Sequence, residues 1–318
     1  MRLRTRSTPR VSGAMSTASV MPLLSRRRSL TLFAALAAGG RLPAQNADGA
    51  ALRSELERAY AAWRQAMRTA DTAAFAAATS RYRQMCLRNE VISMRQPWPA
   101  AVFKSVLKAP DVSRLTFLDA TATGDTARAV YFGRVDFALD AGNVAENPVV
   151  LRFLREGSVW KFDRIQYVNL GTDDSQRQEA RTGGRQLLQG EDFQLTGTYP
   201  AVPRACREPY QIAALRILAT SCTVTVDVNQ GAHLETVENN TGGRIITGGL
   251  QKGYNVLAIT PAADLTARNP PQLEITVLTR RDASAPAVKL WSWKPAEPPA
   301  EWKRKYDASV FVKSKSTL

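Results

Sequence analysis

Histidine is almost absent: one residue of 318, His233, can supply an imidazole. A multi-histidine zinc site is thereby excluded, and any Ser-His-Asp triad would have to pass through His233. No Gly-x-Ser-x-Gly elbow accompanies it. In the turn-rich run Asn229-Gln-Gly-Ala-His-Leu234 it reads as a solvated loop residue. Cysteine is scarce too. Cys86, Cys206 and Cys222 form no Cys-x-x-Cys pair, which removes zinc ribbons and dithiol redox motifs. In an oxidising compartment Cys206 and Cys222 either join in a disulfide or stay as two free thiols; Cys86, on an apolar helical face, reads as a buried thiol. The doublets Thr182-Gly-Gly-Arg185 and Thr241-Gly-Gly-Arg244 lack the Gly-Lys-Ser/Thr ending of a phosphate loop and read as turns. Asp173-Asp174 has none of the alternating ligands of a calcium loop. Neither a metal nor an organic cofactor is expected.

Acidic residues are missing from positions 1–44, which hold eight arginines: Arg2, Arg4, Arg6, Arg10, Arg26, Arg27, Arg28 and Arg41. The formal charge of +15 rests heavily on them. Setting those eight aside leaves 35 basic residues against 28 acidic ones, a mild +7 that calls for no specific nucleic-acid partner. Ser25-Arg-Arg-Arg-Ser-Leu30, the apolar run Leu30–Ala38 and Leu42-Pro-Ala44 follow the order of an export signal, and Met15 or Met21 would give it a more usual length. The double arginine fits a twin-arginine signal and an ordinary secretory n-region equally. The apolar run is far shorter than the ~20 residues needed to cross a bilayer, so no transmembrane anchor is expected. The expected destination is periplasmic or extracellular.

What the chain does contain begins with helices. Leu52, Leu56, Tyr60, Trp63, Met67 and Ala70 recur at helical spacing, with Arg53, Glu57, Arg58, Arg64 and Arg68 on the other faces. Asp71-Thr72 breaks the pattern and starts a second helix, with Phe75, Ala78, Tyr82, Cys86 and Asn89 on one face. Pro97-Trp98-Pro99 ends it, and Ala100–Leu107 reads as a further turn or two. From Leu115 the period becomes that of strands: 114–121, 127–139, and a hairpin within 149–169. Placing Glu156-Gly157 in the turn sets Phe153 opposite Trp160, Leu151 opposite Phe162, Arg152 opposite Lys161 and Val150 opposite Asp163. One face is then aromatic (Phe153, Trp160, Phe162) and the other charged (Arg152, Lys161, Asp163).

Two or three helices followed by a long antiparallel sheet, with Leu56 to Ala78, the break at Asp71 and Gly157-Ser-Val-Trp-Lys-Phe162, resemble the nuclear transport factor 2-like superfamily, which includes ketosteroid isomerase. The resemblance covers roughly residues 50–170. It implies an α+β cone-like barrel with helices packed on a curved antiparallel sheet, enclosing an apolar pocket in which enzymes place an acid or base and a tyrosine. Residues 171–194 are polar and read as a linker. Beyond them, seven short runs with strand composition (214–219, 222–228, 244–247, 254–260, 273–279, 288–293 and 308–312) indicate an all-β sandwich. Leu250-Gln-Lys-Gly-Tyr-Asn-Val-Leu-Ala-Ile259 resembles a turn-and-strand of galactose-binding-like sandwiches, which speaks to fold and not to sugar binding. The expected organisation is an export signal at 1–44, the α+β domain at 45–170, the linker at 171–194 and the sandwich at 195–318.

The candidate pocket residues are Tyr60, Trp63, Tyr131, Arg134, Arg152, Asp163 and Tyr167, beside the bland reading of a charged sheet face and aromatic core filler. No catalytic role transfers to them residue by residue. The leading expectation is therefore a non-catalytic exported binding protein for a small ligand, a glycan or an envelope partner. The alternatives are an isomerase- or hydratase-type enzyme, with Asp163 or Asp136 as base and Tyr131 or Tyr167 as donor, and a structural module forming a homodimer through the N-terminal sheet. Trp291-Ser-Trp-Lys-Pro295 and Trp302-Lys-Arg-Lys-Tyr306 set aromatics among cations, either for a polyanion, glycan or membrane surface or as a solvated basic strand.

Overall fold

The computed structural model describes residues 44–104, 109–135, 146–171 and 173–313. The segment read as an export signal lies almost entirely outside the described residues, as do 136–145 with Asp136. The fold is mixed α+β, its sheets antiparallel, with strands dominating the C-terminal part.

Helix α1 (Ala44–Thr69) is followed by a helical stretch that the sequence presents as one unit and the structure splits. Helix α2 (Thr72–Ala78) is capped by Asp71, whose side chain accepts from Ala74 N at 2.9 Å. The chain then leaves helical geometry at Thr79-Ser80, where Ser80 N donates to Phe162 O and Thr79 bridges Phe162. Ser80 next caps α3 (Arg81–Ser93), accepting from Arg83 N at 3.1 Å. Serine is a strong N-cap, and this sheet contact ends the first helix and begins the second. Of the expected turn at 100–107, residues 100–104 are described and hold a 3-10 turn, Val102–Lys104; a second, Val112–Arg114, leads into the first strand.

Strands β1 (Thr116–Thr123), β2 (Thr126–Gly133), β3 (Asn147–Glu156) and β4 (Val159–Tyr167) form one sheet in chain order, with β1 and β4 as its edges, so it does not close into a barrel. The hairpin register differs from the expected one. Glu156 pairs with Val159, so the two-residue turn is Gly157-Ser158, with Gly157 at φ +63°. Glycine at the first central position supplies the positive φ that Glu156 would adopt only under strain. Arg155 thus faces Trp160 and Phe153 faces Phe162. A bulge leaves Asp163 without a partner across the strands and sets Arg152 opposite Arg164. The aromatic face survives the shift, with Phe153 and Phe162 on the side that packs against α1 and Trp160 beside them, whereas the charged face loses Asp163 to the bulge and gains Arg164 opposite Arg152.

Both faces of this sheet are covered. Residues Leu56 and Tyr60 of α1 pack on Ala127, Ala129, Tyr131, Val149, Leu151, Phe153 and Phe162. On the other face Leu118, Val130, Phe132 and Val150 meet Ala180 of α4 (Asp174–Arg181) with Leu187, Leu188 and Phe193. Residues 174–194 therefore lie on the sheet as a layer.

Eight further strands follow. β5 (Ile212–Thr220), β8 (Thr241–Ile245), β10 (Gln272–Arg280) and β11 (Val288–Trp293) make one sheet in the order β11-β10-β5-β8. β6 (Cys222–Val228), β7 (His233–Glu238), β9 (Gly253–Ala263) and β12 (Tyr306–Val312) make the other, in the order β12-β9-β6-β7. Leu215, Ile217, Ile275 and Val277 from the first and Val224, Val226, Leu257, Ile259 and Val310 from the second belong to one buried cluster. Strand β7 lies outside the seven runs that the sequence indicates, and His233, which reads there as a solvated loop residue, opens this edge strand.

Candidate functional site

Cross-strand register aligns Phe117, Tyr131, Val149 and Tyr167 in one row over all four N-terminal strands, on the face beneath α1. From α1, Glu57 and Tyr60 are three residues apart and so project from neighbouring positions on the helix. Tyr131 donates its phenol to Glu57 Oε1 at 2.8 Å, and Arg53 Nε donates to the same oxygen at 2.8 Å. The Arg53 guanidinium also lies 3.9 Å from the centroid of Phe117. Tyr60 donates to Pro110 O at 2.8 Å, and the adjacent Arg64 pairs with Asp111 at 3.3 Å. Tyr60 and Tyr131 are almost wholly buried, at 2% and 1% exposure.

Burial pushes the pKa values of Tyr60, Tyr131 and Tyr167 well above the usual phenol range, reinforced at Tyr131 by the Glu57 carboxylate. All three phenols are protonated at any working pH and serve as hydrogen-bonding groups. The cluster is a carboxylate and three neutral phenols, of which Tyr131 and Tyr167 belong to the row itself.

Towards the hairpin, the space between α1 and the sheet is occupied by rings. Trp63 and Phe162 have centroids 4.1 Å apart, Tyr60 and Phe162 5.4 Å, Tyr60 and Trp63 5.7 Å, and Phe153 and Phe162 5.9 Å. Such contacts contribute beyond simple area burial, so this end is packed core.

Of the seven candidate residues, the structure brings Tyr60, Trp63, Tyr131 and Tyr167 together and sends the other three elsewhere. Arg134 is exposed just past β2. Arg152 lies on the opposite face, in a row Arg128–Arg152–Arg164 set by register across β2, β3 and β4. It donates to the carbonyls of Asp192 and Gln194, while Arg128 donates to that of Phe193. These are fastenings for the chain's own backbone. Burial, then the neighbouring Arg164 and Arg128, bring Arg152 down to about 10. Asp163, the bulged residue, is 5% exposed and accepts from Ser80 Oγ at 3.0 Å, which fastens β4 to the start of α3. Burial raises its pKa against the lowering effects of Arg164 and Ser80. Lys161, expected beside these two, donates to Ala77 O. Glu57, which the sequence reading assigned to an outer helix face, is the carboxylate that the site contains. Nothing in the sequence sets it apart from the other charged positions along α1.

In the C-terminal part His233 is 8% exposed. Its Nδ1 accepts from Thr247 N at 3.2 Å, which places the proton on Nε2. Burial foremost, then Arg244, lowers its pKa to about 4. Arg244, from the glycine doublet that reads as a turn but forms β8, pairs with Glu235 at 2.9 Å. The disulfide between Cys206 and Cys222 is not formed: Cys206 contacts Asn89 O and Ser93 Oγ, whereas the Cys222 thiol donates to Gln272 O. Cys86 is half-buried. Three of the cations near the C-terminal tryptophans are paired, Lys294 with Glu274, Lys303 with Glu297 and Lys305 with Asp307, and Trp293 packs on Tyr306 at 4.9 Å.

Among the described residues no three potential ligands gather around a metal position, and no helix is long and apolar enough to cross a membrane. Comparison with protein families, with curated proteins and with solved structures gave no match.

Proposed function

We propose that the chain is an exported, non-catalytic binding protein of two parts. An α+β domain of nuclear transport factor 2-like, cone-like form holds a small apolar ligand beneath α1, and a C-terminal β-sandwich serves as an interaction module. Export rests on the arginine-rich, acid-free residues 1–44. The ligand site rests on one observation, the Tyr131–Glu57 hydrogen bond within the row Phe117–Tyr131–Val149–Tyr167. Binding is favoured over turnover because the phenols stay protonated, Glu57 is already held by Arg53 and Tyr131, and Asp163 is engaged with Ser80 away from the tyrosines.

Calorimetric titration with 2-naphthol, and with naphthalene as the hydroxyl-free control, tests the reading. Saturable binding of 2-naphthol is expected, at least about tenfold tighter than naphthalene and weakened to the naphthalene level by Glu57→Gln paired with Tyr131→Phe. Equal affinities for the two probes, or no binding of either, would sink it. The same pair favours a second reading, an isomerase- or hydratase-type site with Glu57 as base and Tyr131 as donor; turnover lost in Glu57→Gln would favour that one.

A further inference from the structure

The outward face of the sheet β12-β9-β6-β7 differs from the rest of the chain. Alternation places Thr223, Thr225 and Asp227 of β6 on it, with Leu234, Thr236 and Glu238 of β7. Strand β9 adds Tyr254, Val256, Ala258 and Thr260, and β12 adds Asp307, Ser309 and Phe311. Tyr254 and Phe311 are cross-strand partners with ring centroids 4.8 Å apart, and they stand 74% and 49% exposed. An exposed aromatic pair on a strand surface is costly to leave in water and marks a place of contact.

Charge narrows the occupant. These four strands contain no lysine or arginine, in a chain of 43 such residues. Lys252 and Lys313 sit one residue outside the strand ends, and Lys305 is paired with Asp307. A nucleic acid, a sulfated glycan or an anionic lipid surface would meet carboxylates and no cation within the strands. What the face does offer is hydroxyls, the Thr225–Thr236 pair at 3.0 Å among them, together with the carboxylates of Asp227 and Asp307 and two rings. That combination matches a neutral polyol. Sugar rings stack their C–H faces on aromatic rings, and their hydroxyls both donate to carboxylates and exchange hydrogen bonds with threonine and serine.

We infer that this face binds a neutral polysaccharide chain, with Tyr254 and Phe311 as its stacking residues. The inference builds on the reading of the C-terminal part as an interaction module and is independent of the ligand site beneath α1.

The test is migration of the full chain in native gels, run toward the cathode and cast with mixed-linkage β-glucan, arabinoxylan or dextran. Retardation by at least one of the three is expected, with apparent affinity falling at least about tenfold in both Tyr254→Ala and Phe311→Ala. Both side chains are exposed, so both variants fold, and an unchanged thermal midpoint verifies it. No retardation by any of the three overturns the inference. So does retardation that Tyr254→Ala leaves intact, or retardation only by heparin or by poly-L-lysine. Binding abolished by Tyr131→Phe but not by Tyr254→Ala would move the glycan to the α1 site and overturn it as well.

Discussion

Tyr131 on β2 and Glu57 on α1, 74 residues apart in the chain, share a 2.8 Å hydrogen bond that joins the first helix to the sheet it covers. The phenol is buried and the carboxylate lies at the rim, so the bond is made in a partly dry setting where a charged acceptor is worth more than a neutral one. Tyr131→Phe should lower unfolding free energy by about 1–2 kcal/mol, and Glu57→Gln, which keeps an acceptor, by less. Urea denaturation of both variants measures the difference; a larger loss in Glu57→Gln would contradict it.

Phe162 touches Tyr60, Trp63 and Phe153 and is 2% exposed. Phe162→Ala should cost about 3–5 kcal/mol, the range for emptying a buried aromatic position. Phe162→Leu should recover much of that. A cost below about 1 kcal/mol would mean the space under α1 is not closely packed.

Ser80 does two things at once, capping α3 through Arg83 N and donating to the buried Asp163. Ser80→Ala should therefore cost more than the ~1 kcal/mol of a cap alone, because it also leaves Asp163 without its donor. The two parts separate with pH. The folded pKa of Asp163 is raised, so its ionised form disfavours folding, and stability falls as pH rises through that value. Ser80→Ala should steepen that fall. Asp163→Asn should remove it, raising the thermal midpoint at neutral pH relative to the parent.

The single histidine gives a pH signature that can be assigned. The pKa of His233 falls from 6.5 to about 4 on folding, so the unfolded chain binds the proton more readily. The stabilisation is complete above pH ~6.5 and is lost as pH falls toward ~4, by up to about 3 kcal/mol. His233→Gln should flatten denaturation midpoints over that window. Imidazole resonances, unambiguous in a chain with one histidine, should report the proton on Nε2 at neutral pH.

The regular elements were largely legible because their periods are strong. The α1 stripe from Leu52 to Met67 and the seven C-terminal strands all appear close to where periodicity places them. What escaped has local causes. Strand β7 carries Glu235 inward against Arg244, so its buried side does not look apolar. The break at Thr79-Ser80 is imposed by a contact with Phe162, 83 residues away from Thr79. A bulge at Asp163 reversed the face of everything after it, so that Arg164 rather than Asp163 shares a side with Arg152. Of the candidate site, the aromatic members could be found by type and spacing. The carboxylate could not, because Glu57 is one of several charged positions along α1 and only the sheet beneath distinguishes it.

The arginine row has a consequence for how the two parts of the chain are joined. Arg128 and Arg152 hold the carbonyls of residues 192–194, while further along Asn89 of α3 binds Arg204 O and Cys206 N, and Ser93 accepts from Gly248 N. Between those two moorings the covalent chain is redundant as a tether. A single proteolytic nick at residues 195–203 would leave both fragments anchored to the N-terminal sheet and its helix, and the halves would travel together through a sizing column until a denaturant parted them.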